Sequence, residues 1–290
     1  MDFTSLYCNI DDFIKSISHR EFAAAIDHDK KRRGTHPFLS LSEIMTIVVF
    51  YHASKFKHFK AYYQFLLVNH RHDFPRLVSY NRFVELMSQA LIPLCYYLES
   101  RKGKVTGISY IDSTMLAVCK NIRISRNKVF KGIAARGKST MGWSYGFKLH
   151  LVVNEHGELL AFKITKANTD DRHPVLGLCK NIFGKLFGDR GYISAKLLAA
   201  LFEKNIQIIT GIKKNMKNRL MNMMDKILLR KRFIIETIND QLKNISDIEH
   251  SRHRSPMNFL VNLISGLIAY THQPKKPSIK GGNGPLSLAY

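Results

Sequence analysis

Acidic residues are scarce in this chain: 22 Asp and Glu stand against 45 Lys and Arg, a formal charge of +23 over 290 residues. That surplus points to a polyanionic partner, either nucleic acid or an acidic membrane surface. Cysteine is scarce too. Cys8, Cys95, Cys119 and Cys179 form no CxxC pair, so they read as reduced core thiols of a cytosolic protein rather than as disulfides or zinc ligands. The start, MDFTSLYCNIDDFIK, lacks the basic head and apolar run of a signal peptide. No long apolar run exists. The longest, Phe259 to Tyr270, is interrupted by Asn262 and is shorter than the about 20 residues that span a bilayer. A cytoplasmic location and no membrane partner are therefore expected.

What is present is a folded protein's share of apolar residues, 45%, enough for a sizeable core. The charge is uneven. Residues 1 to 104 hold 15 basic and 10 acidic residues, the rest 30 and 12, so 18 of the 23 surplus charges lie in the later part. Apolar residues at helical spacing in Asp11 to Ile26, Leu41 to His52, Ala61 to Val68 and Tyr80 to Leu98 predict a small all-helical domain over 1–104. Ser40 or Ser42 and Ser79 are its candidate N-caps, with breaks at Gly34 to Pro37 and Asp73 to Pro75. Its role is either DNA binding or packing and dimerisation.

From residue 105 the pattern turns β-rich: Gly107 to Leu116, Phe147 to Asn154, Leu159 to Thr165, Lys185 to Asp189 and Ile206 to Ile212. Helical patterns fall at His173 to Phe183, Ser194 to Asn205 and about Asp225 to Ile245, and Asn154 to Gly157 reads as a hairpin turn. The order βββαβαβα predicts an α/β domain over 105–273, a mixed sheet with flanking helices of the ribonuclease-H-like kind. No internal repeat is evident. The basic tail 274–290 has few apolar residues and is expected to be disordered.

Three acids stand out. Asp112 lies within GISYIDSTML, a run that otherwise reads as buried strand, where an aspartate is disfavoured unless it bonds Ser113 or Thr114 or ligates a metal. Asp189 ends KLFGDRGY, where Gly188 and Gly191 mark a tight loop at a strand's carboxyl end, the place where open α/β sheets build sites. An Asp turn or a pair with Arg190 would also explain it. In RKRFIIETINDQLKNI, Arg232, Asp240 and Lys243 fall within about 40° of Glu236, and Ile234, Ile235, Ile238, Leu242 and Ile245 oppose them. Helix phase alone leaves Glu236 and Asp240 equal as ligands. It equally allows Arg232 and Glu236 to be a plain i,i+4 pair.

Together such acids suit phosphodiester chemistry, in which two divalent ions about 4 Å apart activate a nucleophile and stabilise the leaving oxygen. Oxygen-only ligands favour Mg²⁺, with Mn²⁺ as a substitute. No Asp or Glu occurs from Ala117 to Asn154, whereas Lys120, Arg123, Arg126, Lys128, Lys131, Arg136, Lys138 and Lys148 do. A one-signed segment next to a metal site reads as a phosphate clamp.

At these residues the chain resembles insertion-sequence transposases of the DDE class, most closely the IS982 family within the IS4-like group. The resemblance lies in Tyr110-Ile111-Asp112-Ser113-Thr114, Gly142 through His150, Gly188-Asp189-Arg190-Gly191-Tyr192, the Arg232, Glu236, Lys243 spacing, and His253-Arg254-Ser255-Pro256-Met257-Asn258-Phe259. It covers about residues 35 to 270 and favours Glu236 over Asp240. One position departs: Leu229 stands where the family often has tyrosine three residues before the arginine. The resemblance implies a bacterial, nucleoid-associated enzyme that works as a dimer or higher assembly on DNA. It would bind terminal inverted repeats, cleave with Mg²⁺ to free 3′-hydroxyls, and join those ends to target DNA, with Arg232 and Lys243 touching DNA near the scissile bond. A silent DNA-binding remnant acting as a repressor, and a nuclease that cuts without joining, are the alternatives.

Other residues are read more plainly. Asp171 is expected to cap the helix that starts near Pro174, and Trp143 to pack against strands. His70, His72, His250 and His253 lack a companion Cys pair and are not taken as zinc ligands. His150, on a strand, is left as a weak candidate for facing DNA.

Overall fold

Pairing with its neighbours, more than its own apolar pattern, makes the third strand the hub of this sheet. The computed structural model describes residues 2–17, 39–139, 142–212, 216, 220–249 and 253–279. Its strands are β1 (Ile108–Cys119), β2 (Ala135–Ser139), β3 (Gly142–Asn154), β4 (Leu159–Lys166), β5 (Gly184–Gly188) and β6 (Ile206–Thr210). They run in the order β2-β3-β1-β5-β6, with β4 also on β3. One edge of β3 pairs with β2 through residues 142–146 and with β4 through 147–153; the other pairs with β1. These ladders are antiparallel, while β1–β5 and β5–β6 are parallel. The β4-β3-β1-β5-β6 array is the expected ribonuclease-H-like mixed sheet.

Strand β2 was not legible, because ARGKS has no apolar alternation; β3 holds it. Close approach of backbones demands glycine in this corner: a Cβ on Gly146 would lie 2.0 Å from the Leu116 carbonyl oxygen, and one on Gly137 2.2 Å from that of Ala167. The predicted hairpin turn forms, with Gly157 at φ 73°. The Asn154 side-chain oxygen accepts from the amides of His156 and Glu158 at 3.0 and 2.9 Å.

Alternation along β1 divides the sheet's two faces. Ile111 joins Val152, Leu186, Ile206 and Ile208 in a core covered by α6 (Val175–Leu178) and α7 (Ala195–Phe202). Tyr110 points the other way. It stacks on Phe187 with centroids 5.4 Å apart, and its hydroxyl donates to the Leu228 carbonyl at 3.4 Å. Leu228 belongs to α8 (Met223–Arg230), which also brings the buried Asp225 within 2.6 Å of Lys185 on β5. Two helical expectations change. The helix over His173 to Phe183 is a single turn, and the one over Asp225 to Ile245 splits into α8 and α9 (Phe233–Asn244) at Lys231-Arg232. There the Lys231 amide closes the helix by donating to the Ile227 and Leu228 carbonyls. Neither glycine nor proline marks that break. Ile245, past the end of α9, is exposed rather than buried.

The helical unit contains α1 (Phe3–Ser16), α2 (Leu41–Tyr51), α3 (Phe59–Asn69), α4 (Tyr80–Leu86), a 3₁₀ turn (Met87–Ala90) and α5 (Leu91–Ser100). Ser40 and Glu43 form a capping box on α2, and Ser79 caps α4. The later half of the predicted Asp11 to Ile26 helix, the break at Gly34 to Pro37, and His250 lie outside the described residues. The grouping also differs from a division at 104: residues 1–101 and 242–274 form one compact unit, 102–241 with the tail the other. The cause is α10 (Pro256–Thr271), whose Phe259, Val261, Leu263, Ile264, Leu267 and Ile268 are all buried. A helix apolar on every side needs neighbours all round, and α2 and α5 supply them. Of the tail, Ile279 donates its amide to the Glu155 carbonyl at 2.9 Å; residues 280–290 lie outside the description. Only Cys119 and Cys179 are buried; Cys8 and Cys95 are exposed and are not core thiols. No described helix is long and apolar enough to cross a membrane.

His52 ties α2 to the segment after α9 through a short bond between Nδ1 and the Ser246 carbonyl. Burial pushes its pKa down to about 4 from 6.5. The depressed value means that the unfolded chain takes up the proton first as pH falls. His52 stabilisation is therefore whole above about pH 6.5 and is lost on the way to pH 4, a loss of about 2.5 kcal/mol by pH 4.5. Urea unfolding of the parent and of His52→Gln at pH 7.5 and 4.5 checks this: the parent should lose that much more stability than the variant.

Candidate active site

The β1–β5 register aligns Ile108, Ser109 and Tyr110 with Lys185, Leu186 and Phe187. Continued by two residues, it sets Asp112 beside Asp189, just past the end of β5. Asp112 lies on the Tyr110 face of β1, toward α8 and α9. Its Oδ2 accepts a bond from Asn239 Nδ2 on α9 at 3.1 Å. Burial drives its pKa up to about 6 from 3.8; the Ser113 amide and the Arg232 charge oppose the rise, and the Asp189 and Glu236 charges add to it. The three acids therefore share one electrostatic neighbourhood.

They do not share one ligation sphere as they stand. Among the described residues, no three acid, histidine or cysteine side chains are close enough together to hold an ion. Asp189 Oδ1 accepts from the Gly191 amide at 2.8 Å, the Asp turn its loop allows. Glu236, on the exposed side of α9, accepts from Arg232 Nη2 at 2.5 Å, the i,i+4 pair that the spacing allows. Asp240 is exposed too. Lys243, in the last turn of α9, pairs with Glu249 at 2.9 Å.

Sequence reasoning missed two residues here. Asn239 stands about 60° round the helix from Glu236, on the border of the apolar face, and is buried. Only tertiary placement shows that its amide reaches Asp112. Tyr192, in the motif GDRGY, packs its ring over Gly188; its hydroxyl is buried without a hydrogen-bond partner. Burial and the carboxylates of Asp112, Asp171 and Asp189 push that hydroxyl's pKa well up.

Asp171 is not the helix cap. The N-cap of α6 is Pro174, without a side-chain bond, because Asp171 turns to the sheet instead. Its Oδ1 accepts from Ser113 Oγ at 2.8 Å and from Lys148 Nζ at 2.9 Å, and lies 4.0 Å from the buried His150. Burial lowers the His150 pKa to about 4, and its Nε2 meets Thr165 Oγ1 at 2.8 Å. Buried and engaged, His150 does not face DNA. Lys148 also donates to the Thr169 carbonyl at 2.9 Å, so it braces this loop.

Beside these groups lies a cleft of about 610 Å³, lined by Arg136, Lys138 and Trp143 and by Lys148 and Arg172, which are paired there with Asp171 and Asp170. Arg136 and Lys138 alternate on β2 and so share a side. Trp143 does not pack into the sheet: it is 51% exposed, with the Arg136 guanidinium 5.1 Å above its ring. Arg126, Lys128 and Lys131 are exposed on the segment leading to β2, and Arg190 is exposed beside Asp189.

A family model described as "Transposase DDE domain" matches residues 102–256, more than half of the chain. The chain belongs to the transposase DDE domain family. The matched span holds Asp112, Asp189 and Glu236, together with Asp171 and Asn239. No curated protein matches. Among solved structures, a piggyBac transposase synaptic complex with hairpin DNA is similar at TM-score 0.49 and 10% identity, covering 93% of this chain and 74% of that one. The Mos1 Strand Transfer Complex is similar at TM-score 0.24 and 12% identity, covering 86% and 81%.

Proposed function

We propose that this DDE-domain protein is a transposase of an insertion sequence similar to the IS982 family. It would bind the element's terminal inverted repeats, cut them and join the freed ends to target DNA. The observation that carries the reading is the β1–β5 register, which, carried two residues past Tyr110 and Phe187, brings Asp112 in the middle of β1 level with Asp189 just past the carboxyl end of β5, with Glu236 near enough to raise the Asp112 pKa.

Asp112, Asp189 and Glu236 would hold two Mg²⁺ ions, with Mn²⁺ as a substitute. Their donors fit: all are carboxylate oxygens, and Asp112 is a half-buried acid bonded by the Asn239 amide, whose ionisation burial opposes more than the Arg232 charge favours. When bound, such ions supply charge stabilisation to the attacking and leaving oxygens of an in-line displacement. In cleavage, water attacks phosphorus, the P–O3′ bond breaks and a 3′-hydroxyl is released; in joining, that hydroxyl attacks a target phosphodiester and the target's own 3′-oxygen leaves. One bond forms as one breaks, so no outside energy source is needed. Glu236 must give up Arg232 to ligate, and the released Arg232 is then free for a phosphate. Arg136, Lys138 and Arg190, with Arg126, Lys128 and Lys131 further along, would hold the strand. Lys148 and Lys243 would join them only by exchanging their present carboxylate partners.

Asn239 would orient Asp112 as an outer partner of the ligand. Asn239→Ala should weaken activation by Mg²⁺ about 10- to 100-fold, read as the metal concentration giving half-maximal cleavage; an unchanged requirement would remove that role. The proposal as a whole is tested by strand cleavage and joining on a labelled duplex carrying the element's own end, with Mg²⁺, Mn²⁺ or chelator. Metal-dependent nicks with joined products support a transposase, and nicks never followed by joining a nuclease. Binding without cleavage under any condition supports a silent repressor.

A further inference from the structure

The segment His253 to Phe259 takes no part in the acid site, yet it builds a second polar cleft within the helical unit. This cleft, of about 660 Å³, lies where α3, α4 and α10 begin, and its lining contains Lys60 and Arg254 but no Asp or Glu. His58, the N-cap of α3, makes no side-chain capping bond. The start of α3, a helix of 11 residues, therefore meets the cavity without a side-chain cap, whereas α10 begins there with Pro256 and with Ser255 accepting from the Asn258 amide.

The second observation is Asn262. It lines this cleft one turn beyond Asn258, is 8% exposed, and its Nδ2 has no hydrogen-bond partner. Its chain neighbours Val261 and Leu263 are buried and apolar, so a bare amide there is costly unless something accepts its hydrogens. The missing partner is an acceptor, and Lys60, Arg254 and the uncapped start of α3 select an anionic one.

We infer that this cleft binds a backbone phosphate of DNA, as a site separate from the acids. The inference rests on the reading of the protein as one that works on DNA. It gives the helical unit a direct part in holding DNA.

Asn262→Leu keeps charge and approximate volume while removing the amide. In the full-length protein it should leave the melting temperature equal or higher and lower affinity for a fluorescein-labelled duplex about tenfold, measured by anisotropy in chelator so that no strand is cut. Arg254→Ala, at an exposed position, should reduce the slope of log K against log salt by about one, and Arg254→Lys should restore it. Inorganic phosphate should compete more strongly against the parent than against Asn262→Leu. A folded Asn262→Leu that binds within twofold of the parent would overturn the inference. So would an Arg254→Ala slope equal to the parent's, which decides the matter if Asn262→Leu does not fold. If the parent cleaves element ends while both variants bind normally, only this inference fails; a parent that binds no DNA removes the transposase reading with it.

Discussion

Replacing Asp112 by Asn should abolish metal-dependent strand cleavage and joining, and at the same time raise the melting temperature of the protein in chelator at pH 8. The two effects have one cause. A carboxylate on a half-buried strand position, with Asp189 and Glu236 nearby, resists ionisation and has its pKa raised to about 6. The folded protein therefore holds that proton more tightly than the unfolded chain, and stability falls as pH rises from about 4 to 6, staying reduced above. An Asn side chain escapes this cost, on the order of 2–3 kcal/mol, and its carbonyl can still accept from Asn239. The same exchange removes the negative oxygen that a hard cation needs. Thermal melts at pH 8 and pH 4.5 check the stability half: the variant's advantage should be present at pH 8 and mostly gone at pH 4.5. An Asp112→Asn protein that melts below the parent at pH 8 would contradict the assignment of strain to this carboxylate.

The second large effect separates two acids that share one helix face. Glu236→Gln should reduce cleavage to background, whereas Asp240→Asn should stay within a few-fold of the parent. Glu236 is near enough to Asp112 for its charge to raise the Asp112 pKa. Because Glu236 is held by Arg232, its replacement also frees a guanidinium, so duplex affinity should hold or rise while chemistry is lost. Single-turnover cleavage at saturating protein reads this directly. Full activity in Glu236→Gln, or loss confined to Asp240→Asn, would move the third acid one turn along α9.

How far the sequence carries this picture depends on the kind of signal. Asp112 was legible because an acid in an apolar strand is locally out of place, and Asp189 because glycines flank a strand end. The sheet was legible wherever apolar alternation was strong. It failed at β2, whose ARGKS has none, and at Lys231-Arg232, where no glycine or proline announces the break in the helix. Asp171 looked like a cap because a proline followed it at the right distance; its true partners, Ser113 and Lys148, are 58 and 23 residues away. Trp143 was read as packing because most tryptophans pack, whereas β2 leaves this one at the mouth of a basic cleft. Asn239 was invisible and Tyr192 stood only as the last residue of GDRGY, since their place depends on which side chains a tertiary fold brings to Asp112. The place of α10 with the N-terminal helices is of the same kind: its apolarity was plain, but not what would cover it.

Whether Asp112, Asp189 and Glu236 hold the same metal ions can be read by Mn²⁺ titration followed by electron paramagnetic resonance, on the protein bound to a duplex carrying the element's end. Two tightly bound ions per catalytic domain are expected in the parent, and fewer or weaker ones in each of Asp112→Asn, Asp189→Asn and Glu236→Gln. Unchanged Mn²⁺ binding in all three variants would contradict a shared site.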